Sequence, residues 1–284
     1  SNNDGEQNPF VNSFFYNSAG TNQSNRLFVA MSGHAWKSLQ SFATTNYPSS
    51  NHIIDAGSLL PSLTYLGVTD PRSTLMFTGG IQSGVAGPRR AVTQGSSVVD
   101  VAAPSTSLSG PPCRLGASGH NRPYGYAVSV ITDYSKIDGY VMTIAESEFL
   151  QAEAALRWPS LFSDVTGHFN KGIDDSFAFR NAINNTAYKA YVDTKVGYST
   201  SLGSFDEQLN AILYQKWIAL MGIHGIESYI DYTRTGFPIT PLSKNASKTR
   251  KPYRLIYPLS EYIANSANVP NISDADCFVI NSNT

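Results

Sequence analysis

The chain has little charge, few cysteines and no long apolar run. Charged residues make up 14% of its 284 residues, against roughly 25% in an average soluble domain. The 20 Lys and Arg and the 21 Asp and Glu give a formal net charge of −1. This balance offers no basic surface for nucleic acid and no polybasic segment for an anionic membrane. No stretch approaches the roughly 18 apolar residues of a membrane span. Composition therefore excludes nucleic-acid binding and disorder, and it selects no reaction.

Cysteine is too scarce to define a fold. The two cysteines, Cys113 and Cys277, are too few for a disulfide scaffold and too distant in sequence for a C-x-x-C metal site. Cysteine is also among the residue types that are most often buried. From the residues alone, the pair is therefore either two buried thiols or one long-range disulfide.

Catalytic motifs are missing as well. The five histidines show no H-x-x-x-H or H-E-x-x-H spacing, which argues against a zinc site on a helix. The chain has no P-loop, and Gly116-Ala117-Ser118-Gly119 lacks the spacing of a nucleophile elbow. Glu146 and Glu153 could form the carboxylate pair of a glycosidase, although capping and surface acids are far commoner. The sequence therefore shows no strong catalytic motif, and we expect no cofactor. A structural calcium ion held by loop oxygens is compatible with the sequence.

Aromatic residues are abundant where charge is rare. They make up 12% of the chain, with 16 Tyr, 14 Phe and 3 Trp. Uncharged polar residues, mainly Asn and Ser, are expected to occupy the surface positions that charged residues usually fill. Such a surface suits neutral, hydroxyl-rich partners, and it equally suits any secreted or cell-surface protein. A sugar ring stacks its C–H face on an aromatic plane and binds amide or guanidinium groups around its rim.

Two aromatic clusters are candidate glycan-binding sites. Trp36 lies among small and polar residues, and a second cluster lies in a Gly/Pro-rich stretch. The second cluster consists of Asn121, Arg122, Tyr124 and Tyr126. The alternative is that each aromatic is an ordinary core or loop-packing residue. For Trp36, full burial would decide against ligand binding.

Helical periodicity appears mainly after residue 140. Thr143 and Glu146 have the spacing of a capping box, and Ala145 and Phe149 share one face. These features predict a helix over 144–157. The pattern of caps and apolar residues predicts three further helices, over 174–191, 204–222 and 227–233.

The earlier part of the chain has a different character. Residues 79–125 are rich in Gly and Pro and indicate a long loop region. We expect a mainly α fold with two parts. Residues 1–142 are predicted to be loop-rich and ligand-facing, and residues 143–284 to carry the helices and a proline-punctuated coil that packs on them.

Several motifs resemble those of the SusD/RagB family, the surface lipoproteins of Bacteroidetes. In chain order they are Asp70-Pro71-Arg72, Thr143 to Ala155 with Glu146, Phe149 and Glu153, Gln215-Lys216-Trp217-Ile218-Ala219-Leu220, Gly225-Ile226-Glu227-Ser228-Tyr229, Arg234-Thr235-Gly236-Phe237-Pro238, and Arg254-Leu255-Ile256-Tyr257-Pro258. Each motif is weak alone, and their order and spacing carry the resemblance. One departure is Thr233, which stands where the family pattern has Arg.

The resemblance implies a SusD-like, tetratricopeptide-containing α fold. It also implies a nutrient-binding protein that is not an enzyme and is exposed at the cell outer membrane. Relatives bind glycans, and in some cases peptides, and pair with a SusC-like TonB-dependent transporter. Family members are longer than this chain. The resemblance therefore implies that the chain is the C-terminal part of a longer protein, whose N-terminal tetratricopeptide half and lipid anchor are missing here.

The resemblance also assigns structural roles. It implies packing positions for Trp158 and Trp217, which predicts that both are core residues. It also implies half-buried ion pairs or caps that tie the helices to the long coil, formed by Glu146, Glu153, Glu227 and Arg234. The oxidising cell surface favours a disulfide between Cys113 and Cys277.

Three functions follow, in decreasing order of support. The first is a glycan-binding partner of a transporter. The second is a peptide-binding or assembly protein of the same architecture. A glycoside hydrolase is a distant third.

Overall fold

The structure, a computed structural model, describes residues 31–39, 70–78, 90–98, 100–102, 114–115, 140–195, 204–238, 240, 242–248 and 250–279. This part of the chain is mainly helical, as predicted. Its helices are α1 (Gly33–Leu39), α2 (Ser73–Met76), α3 (Ile144–Arg157), α4 (Val165–Phe179), α5 (Asn185–Lys195), α6 (Phe205–Leu220), α7 (Gly225–Thr235) and α8 (Leu259–Ala264), followed by a 3-10 turn at Asp276–Phe278. None of the described helices is long and apolar enough to cross a membrane.

The strands are short and lie before the main helices. Strand β1 (Phe77–Thr78) pairs antiparallel with β4 (Arg114–Leu115), and β2 (Arg90–Ala91) pairs antiparallel with β3 (Val101–Ala102). A single parallel bridge joins Ser32 to Val92. These contacts connect segments of the N-terminal part that are distant in sequence.

Local capping chemistry defines the ends of two predicted helices. Helix α3 occupies the predicted residues, and Thr143 Oγ1 accepts the Glu146 backbone N–H at 3.1 Å. Helix α6 begins with a complete capping box, because Ser204 Oγ accepts the Glu207 N–H and the Glu207 carboxylate accepts the Ser204 N–H. The predicted helices α3, α6 and α7 are confirmed, and each observed end lies no more than two residues from the predicted end.

The predicted single helix over 174–191 is wrong. The chain forms α4 and α5 there, separated by a turn. Asn181 and Asn184 adopt left-handed backbone conformations in that turn, with φ of 54° and 68°. Asparagine tolerates this conformation better than most residues. The C-terminal coil also contains a helix that was not predicted, α8.

Helix α6 lies between two apolar clusters. On one side, Ala211, Ile212 and Ala219 join a cluster with buried side chains of α3, α4 and α5. On another side, Tyr214 and Ile218 join a cluster with α1, α2 and the short strands. A helix that is apolar around most of its circumference is buried on most sides. Helix α6 is therefore the centre of the described fold.

A buried arginine attaches the N-terminal segments to the helices. Arg72 is fully buried, and its guanidinium donates to Asp70 at 2.7 and 3.0 Å, to Ser176 at 2.9 Å and to Gln215 at 3.3 Å. It also stacks on Phe177, 4.7 Å from the ring centroid. Burial opposes its charge, but the Asp70 carboxylate outweighs burial and keeps the pKa of Arg72 above its usual value. The Asp-Pro-Arg motif is therefore a docking element.

The two motif tryptophans differ in burial. Trp217 is half-buried and packs against the cluster that contains α1, as predicted. Trp158 is 54% exposed, so its predicted core position is wrong. Trp158 is the C-cap residue, which directly follows the last residue of α3.

Candidate functional site

Trp36 is not a ligand platform. It is 1% exposed and belongs to the apolar cluster around α1 and α6. Helix α1 turns Ala35, Trp36 and Leu39 towards this cluster, and His34 stacks on Trp217 at 5.0 Å between ring centroids. The predicted glycan contact of Trp36 is therefore wrong, and its alternative role as a core residue is confirmed.

The second predicted cluster lies outside the described residues. It consists of Asn121, Arg122, Tyr124 and Tyr126. Their assignment as glycan-binding residues stays a prediction. The division of the chain at residue 142 stays a prediction as well.

The predicted disulfide stays a prediction, because Cys113 lies outside the described residues. The Cys277 side chain is buried. The Cys277 backbone carbonyl accepts the Tyr253 N–H at 2.7 Å. The residue therefore contributes to packing at the C-terminal end of the structure.

Glu153 is the centre of an ion cluster that joins α3 to α7. Its carboxylate accepts hydrogen bonds from Arg157 at 2.6 Å and from both terminal nitrogens of Arg234, the second at 2.7 Å. Arg234 also donates to Asp231 at 2.8 Å. Burial raises the pKa of Glu153, but the two guanidinium groups outweigh burial and leave that pKa below its usual value.

A second cluster joins α3, α6 and the start of α7. Lys216 lies 2.9 Å from Asp231 and 4.0 Å from Glu146, and all three side chains are almost fully buried. His224 Nδ1 lies 3.3 Å from the Glu146 carboxylate. The predicted ion pairs of Glu146, Glu153 and Arg234 are confirmed, although they join helix to helix rather than helix to coil. Glu227 is half-buried in the first turn of α7. There it complements the positive end of the helix dipole.

We expect Glu153 to make the stability of this fold sensitive to acid. A carboxyl group whose pKa is lower in the folded than in the unfolded state stabilises the fold above its unfolded pKa of about 4.3 and loses that effect as pH falls. Glu153→Gln should cost about 1.5–3 kcal/mol at pH 7, the range for hydrogen bonds to charged groups. It should also flatten the dependence of melting temperature on pH between about 5 and 3. Thermal unfolding across this range tests both, and equal acid sensitivity in wild type and variant would contradict the assignment.

A cleft of about 570 Å³ is the candidate site. It lies on the face of α7 opposite to Asp231 and Arg234, which belong to the ion clusters. Four α7 residues line it, at the i, i+3, i+4 and i+7 spacing of one helix face. They are Gly225, Ser228, Tyr229 and Tyr232. We call it the α7 cleft. Its opposite wall consists of described residues between Thr240 and Pro252, with Trp217, Gln94 and Phe278 also contributing.

The chain returns along α7 because α7 ends in a tight reversal. Gly236 has φ of 81°, and its N–H donates to the Tyr232 carbonyl at 2.7 Å. A left-handed conformation at this position favours glycine. Two tyrosine hydroxyls of α7 then hold the returning segment: Tyr229 donates to the Pro252 carbonyl at 3.0 Å and Tyr232 to the Lys251 carbonyl at 3.4 Å.

Aromatic rings form much of the cleft wall. Tyr232 stacks between two other tyrosines, with centroid distances of 6.5 Å to Tyr229 and 5.5 Å to Tyr253. Burial raises the pKa of Tyr229, so its hydroxyl stays protonated and continues to donate. Trp217 and Phe278 add two further rings to the lining. Tyr232 is itself buried, so the half-buried rings of Tyr229, Trp217 and Phe278 give the cleft an apolar surface of the kind on which a sugar ring stacks.

The polar side chains of the α7 cleft are suited to binding rather than to acid–base catalysis. Hydroxyl groups, one amide and three cations line it: Ser228, Thr240, Ser243, Ser247, Gln94, Lys248, Arg250 and Lys251. Among the described lining residues none is Asp, Glu, His or Cys. The described part of the chain also contains no group of three or more potential metal ligands.

Sequence reasoning missed this cleft. Its walls include Gln94, Trp217 and Phe278. These residues are far apart in sequence, so no local motif indicates that they meet. One signal was present: Lys244, Lys248, Arg250 and Lys251 fall within eight residues of a chain that has only 20 Lys and Arg.

Comparisons with known proteins agree with the motifs. A family model described as "SusD-like_2: Starch-binding associating with outer membrane" matches residues 68–258. A SusD-like protein of known structure from Bacteroides thetaiotaomicron VPI-5482 is 24% identical over 70% of this chain and 43% of its own, with a TM-score of 0.51. This similarity indicates the same fold over the matched part. No curated protein that was compared matches this chain.

Two other solved structures match with lower TM-scores. A SusD homologue from Bacteroides uniformis ATCC 8492 is 20% identical over 70% of this chain and 42% of its own, with a TM-score of 0.48. A chitin-binding SusD homologue from Flavobacterium johnsoniae is 26% identical over 50% of this chain and 37% of its own, with a TM-score of 0.39. This chain thus spans less than half the length of each of these structures.

Proposed function

We propose, because this chain belongs to the SusD-like family, that it captures oligosaccharides at the α7 cleft and delivers them to a TonB-dependent transporter of the outer membrane. Members of the family are binding proteins rather than enzymes, and the family is described as starch-binding and as associating with the outer membrane. In this proposal the chain is exposed at the cell surface. A SusC-like transporter is its partner, and no metal or cofactor takes part in binding.

One observation carries the proposal. The α7 cleft places aromatic rings beside hydroxyl, amide and guanidinium groups within one volume of about 570 Å³. Such a volume lies in the range of small-molecule sites, and few polar groups are needed to orient a ligand within it. An oligosaccharide uses both kinds of surface at once, because its C–H faces stack and its hydroxyls bond at the rim.

Tyr229→Ala tests the stacking part of this proposal. Loss of one ring from a stacking wall costs roughly 1–3 kcal/mol by analogy with base stacking. We therefore expect the variant to bind its oligosaccharide about ten-fold more weakly. Tyr229→Phe keeps the ring and loses only the hydrogen bond to Pro252, so it should retain most of the affinity. Calorimetric titration with a panel of maltose, chitin and xylan oligomers measures this effect.

A matched control is available in the same structure. Tyr262 is half-buried like Tyr229, and its hydroxyl also donates to a proline carbonyl, that of Pro270 at 3.4 Å. It lies outside the cleft, so Tyr262→Ala should leave affinity unchanged. Equal affinities for Tyr229→Ala and wild type would remove the α7 cleft as the site. Binding of unstructured peptides, with no binding of any oligosaccharide, would favour the peptide-binding alternative.

A further inference from the structure

We propose that the α7 cleft selects oligosaccharides that carry a carboxylate, that is, glycans containing uronic-acid units. This inference rests on the proposed function and narrows its substrate class. Three cations, Lys248, Arg250 and Lys251, line the cleft, and the described lining includes no Asp or Glu. In a chain with a net charge of −1, this is a local excess of positive charge.

Arg250 is the cation best placed to bind a carboxylate. It is half-buried, and one guanidinium nitrogen donates to the Phe278 carbonyl at 3.1 Å. Its guanidinium carbon lies 5.4 Å from the centroid of the Tyr253 ring. Within the described residues it has no carboxylate partner, so most of its five N–H donors remain for a ligand. A guanidinium held in this way matches the planar, two-oxygen geometry of a carboxylate.

The two lysines support Arg250 from the rim. Lys248 pairs with Asp274, but the two side chains are 49% and 74% exposed, so this ion pair exchanges readily with solvent. Its ammonium also lies 5.1 Å from the centroid of the Phe278 ring. Lys251 donates to the Thr240 carbonyl at 2.7 Å and lies 5.3 Å from the Tyr232 ring centroid. Both groups therefore hold positive charge against the aromatic wall.

The remaining lining distinguishes a sugar acid from other anions. A phosphate or an acidic peptide would use the cations but would gain little from tyrosine and tryptophan planes. A uronic-acid unit uses both, because its ring stacks while its carboxylate meets Arg250. Arg250 lines the same cleft as the half-buried rings of Tyr229 and Trp217, which is the combination of groups that such a unit requires.

Paired sugars provide the test. Oligomers of galacturonate, mannuronate and guluronate are each titrated beside their carboxyl-reduced, neutral counterparts, together with a glutamate trimer as an acidic peptide. We expect at least one acidic oligomer to bind about ten-fold more tightly than its reduced form, with an affinity that falls as salt rises from about 0.05 to 0.5 M. Arg250→Gln should weaken acidic binding about ten-fold, and Arg250→Lys should restore part of the loss.

Arg254→Gln is the matched control, because Arg254 is exposed, lies four residues after Arg250 and does not line the cleft. It should bind like wild type. If Arg250→Gln fails to fold, as judged by its melting temperature, Lys248→Gln tests the same charge excess. Equal affinity for acidic and reduced oligomers, or for the glutamate trimer and the acidic oligomers, would overturn the inference and leave the proposed function intact. Absence of binding by every oligosaccharide, acidic or neutral, would overturn both.

Discussion

Replacement of Arg72 with methionine is expected to lower the free energy of unfolding by about 3–5 kcal/mol, the usual cost of removing one partner of a buried ion pair. The variant leaves the Asp70 carboxylate buried without its cation, and it removes the hydrogen bonds to Ser176 and Gln215. Urea unfolding followed by far-ultraviolet circular dichroism measures the loss.

Two controls separate charge from packing at this position. Asp70→Asn combined with Arg72→Met removes both charges, so the double variant should recover part of the lost stability. Arg254→Met replaces an exposed arginine and should change stability by no more than about 0.5 kcal/mol. A loss below about 1 kcal/mol for Arg72→Met would show that the Asp-Pro-Arg motif does not anchor the N-terminal segments.

Trp36→Ala is expected to cost about 3–5 kcal/mol of folding stability, as truncation of a fully buried tryptophan usually does. The indole fills the interface between α1 and α6 beside Met31, Leu39 and Ile218. Because Trp36 does not line the α7 cleft, the folded fraction of the variant should keep the oligosaccharide affinity of the wild type. Unfolding and calorimetric titration of the same sample test both parts.

Trp158→Ala is the comparison that the chain itself offers. Trp158 is 54% exposed, so its removal should change stability by no more than about 0.5 kcal/mol. Trp36→Phe retains an aromatic core side chain and keeps the experiment informative if the alanine variant does not fold. A ten-fold loss of affinity in Trp36→Phe with unchanged melting temperature would restore Trp36 as a binding residue.

The features predicted correctly from sequence depend on short-range chemistry. Thr143 and Ser204 cap their helices through residues three positions away, and the apolar spacing that follows has the period of a helix. The turn between α4 and α5 was missed because nothing in the neighbouring residues requires Asn181 and Asn184 to be left-handed. Asparagine only permits that conformation, and the packing of the two helices selects it.

The candidate site depended on contacts that a linear pattern does not display. Trp36 has the flanking residues of a loop, yet a strand-like bridge at Ser32 and the apolar face of α1 place it in the core. The α7 cleft joins Gln94 to Phe278 across most of the chain. Motif resemblance did locate α7 and its terminal glycine, and these two features determine the direction in which the cleft-forming segment returns.

The central position of α6 has a consequence for cooperativity. Both apolar clusters use this helix as a shared wall, so neither can open without exposing side chains of the other. The two clusters therefore belong to one unfolding unit rather than to two subdomains. Trp217, which extends from the same helix into the α7 cleft, makes the binding surface a part of that unit. A ligand that binds in the cleft therefore raises the free energy of unfolding of the whole helical unit, not only that of the cleft wall.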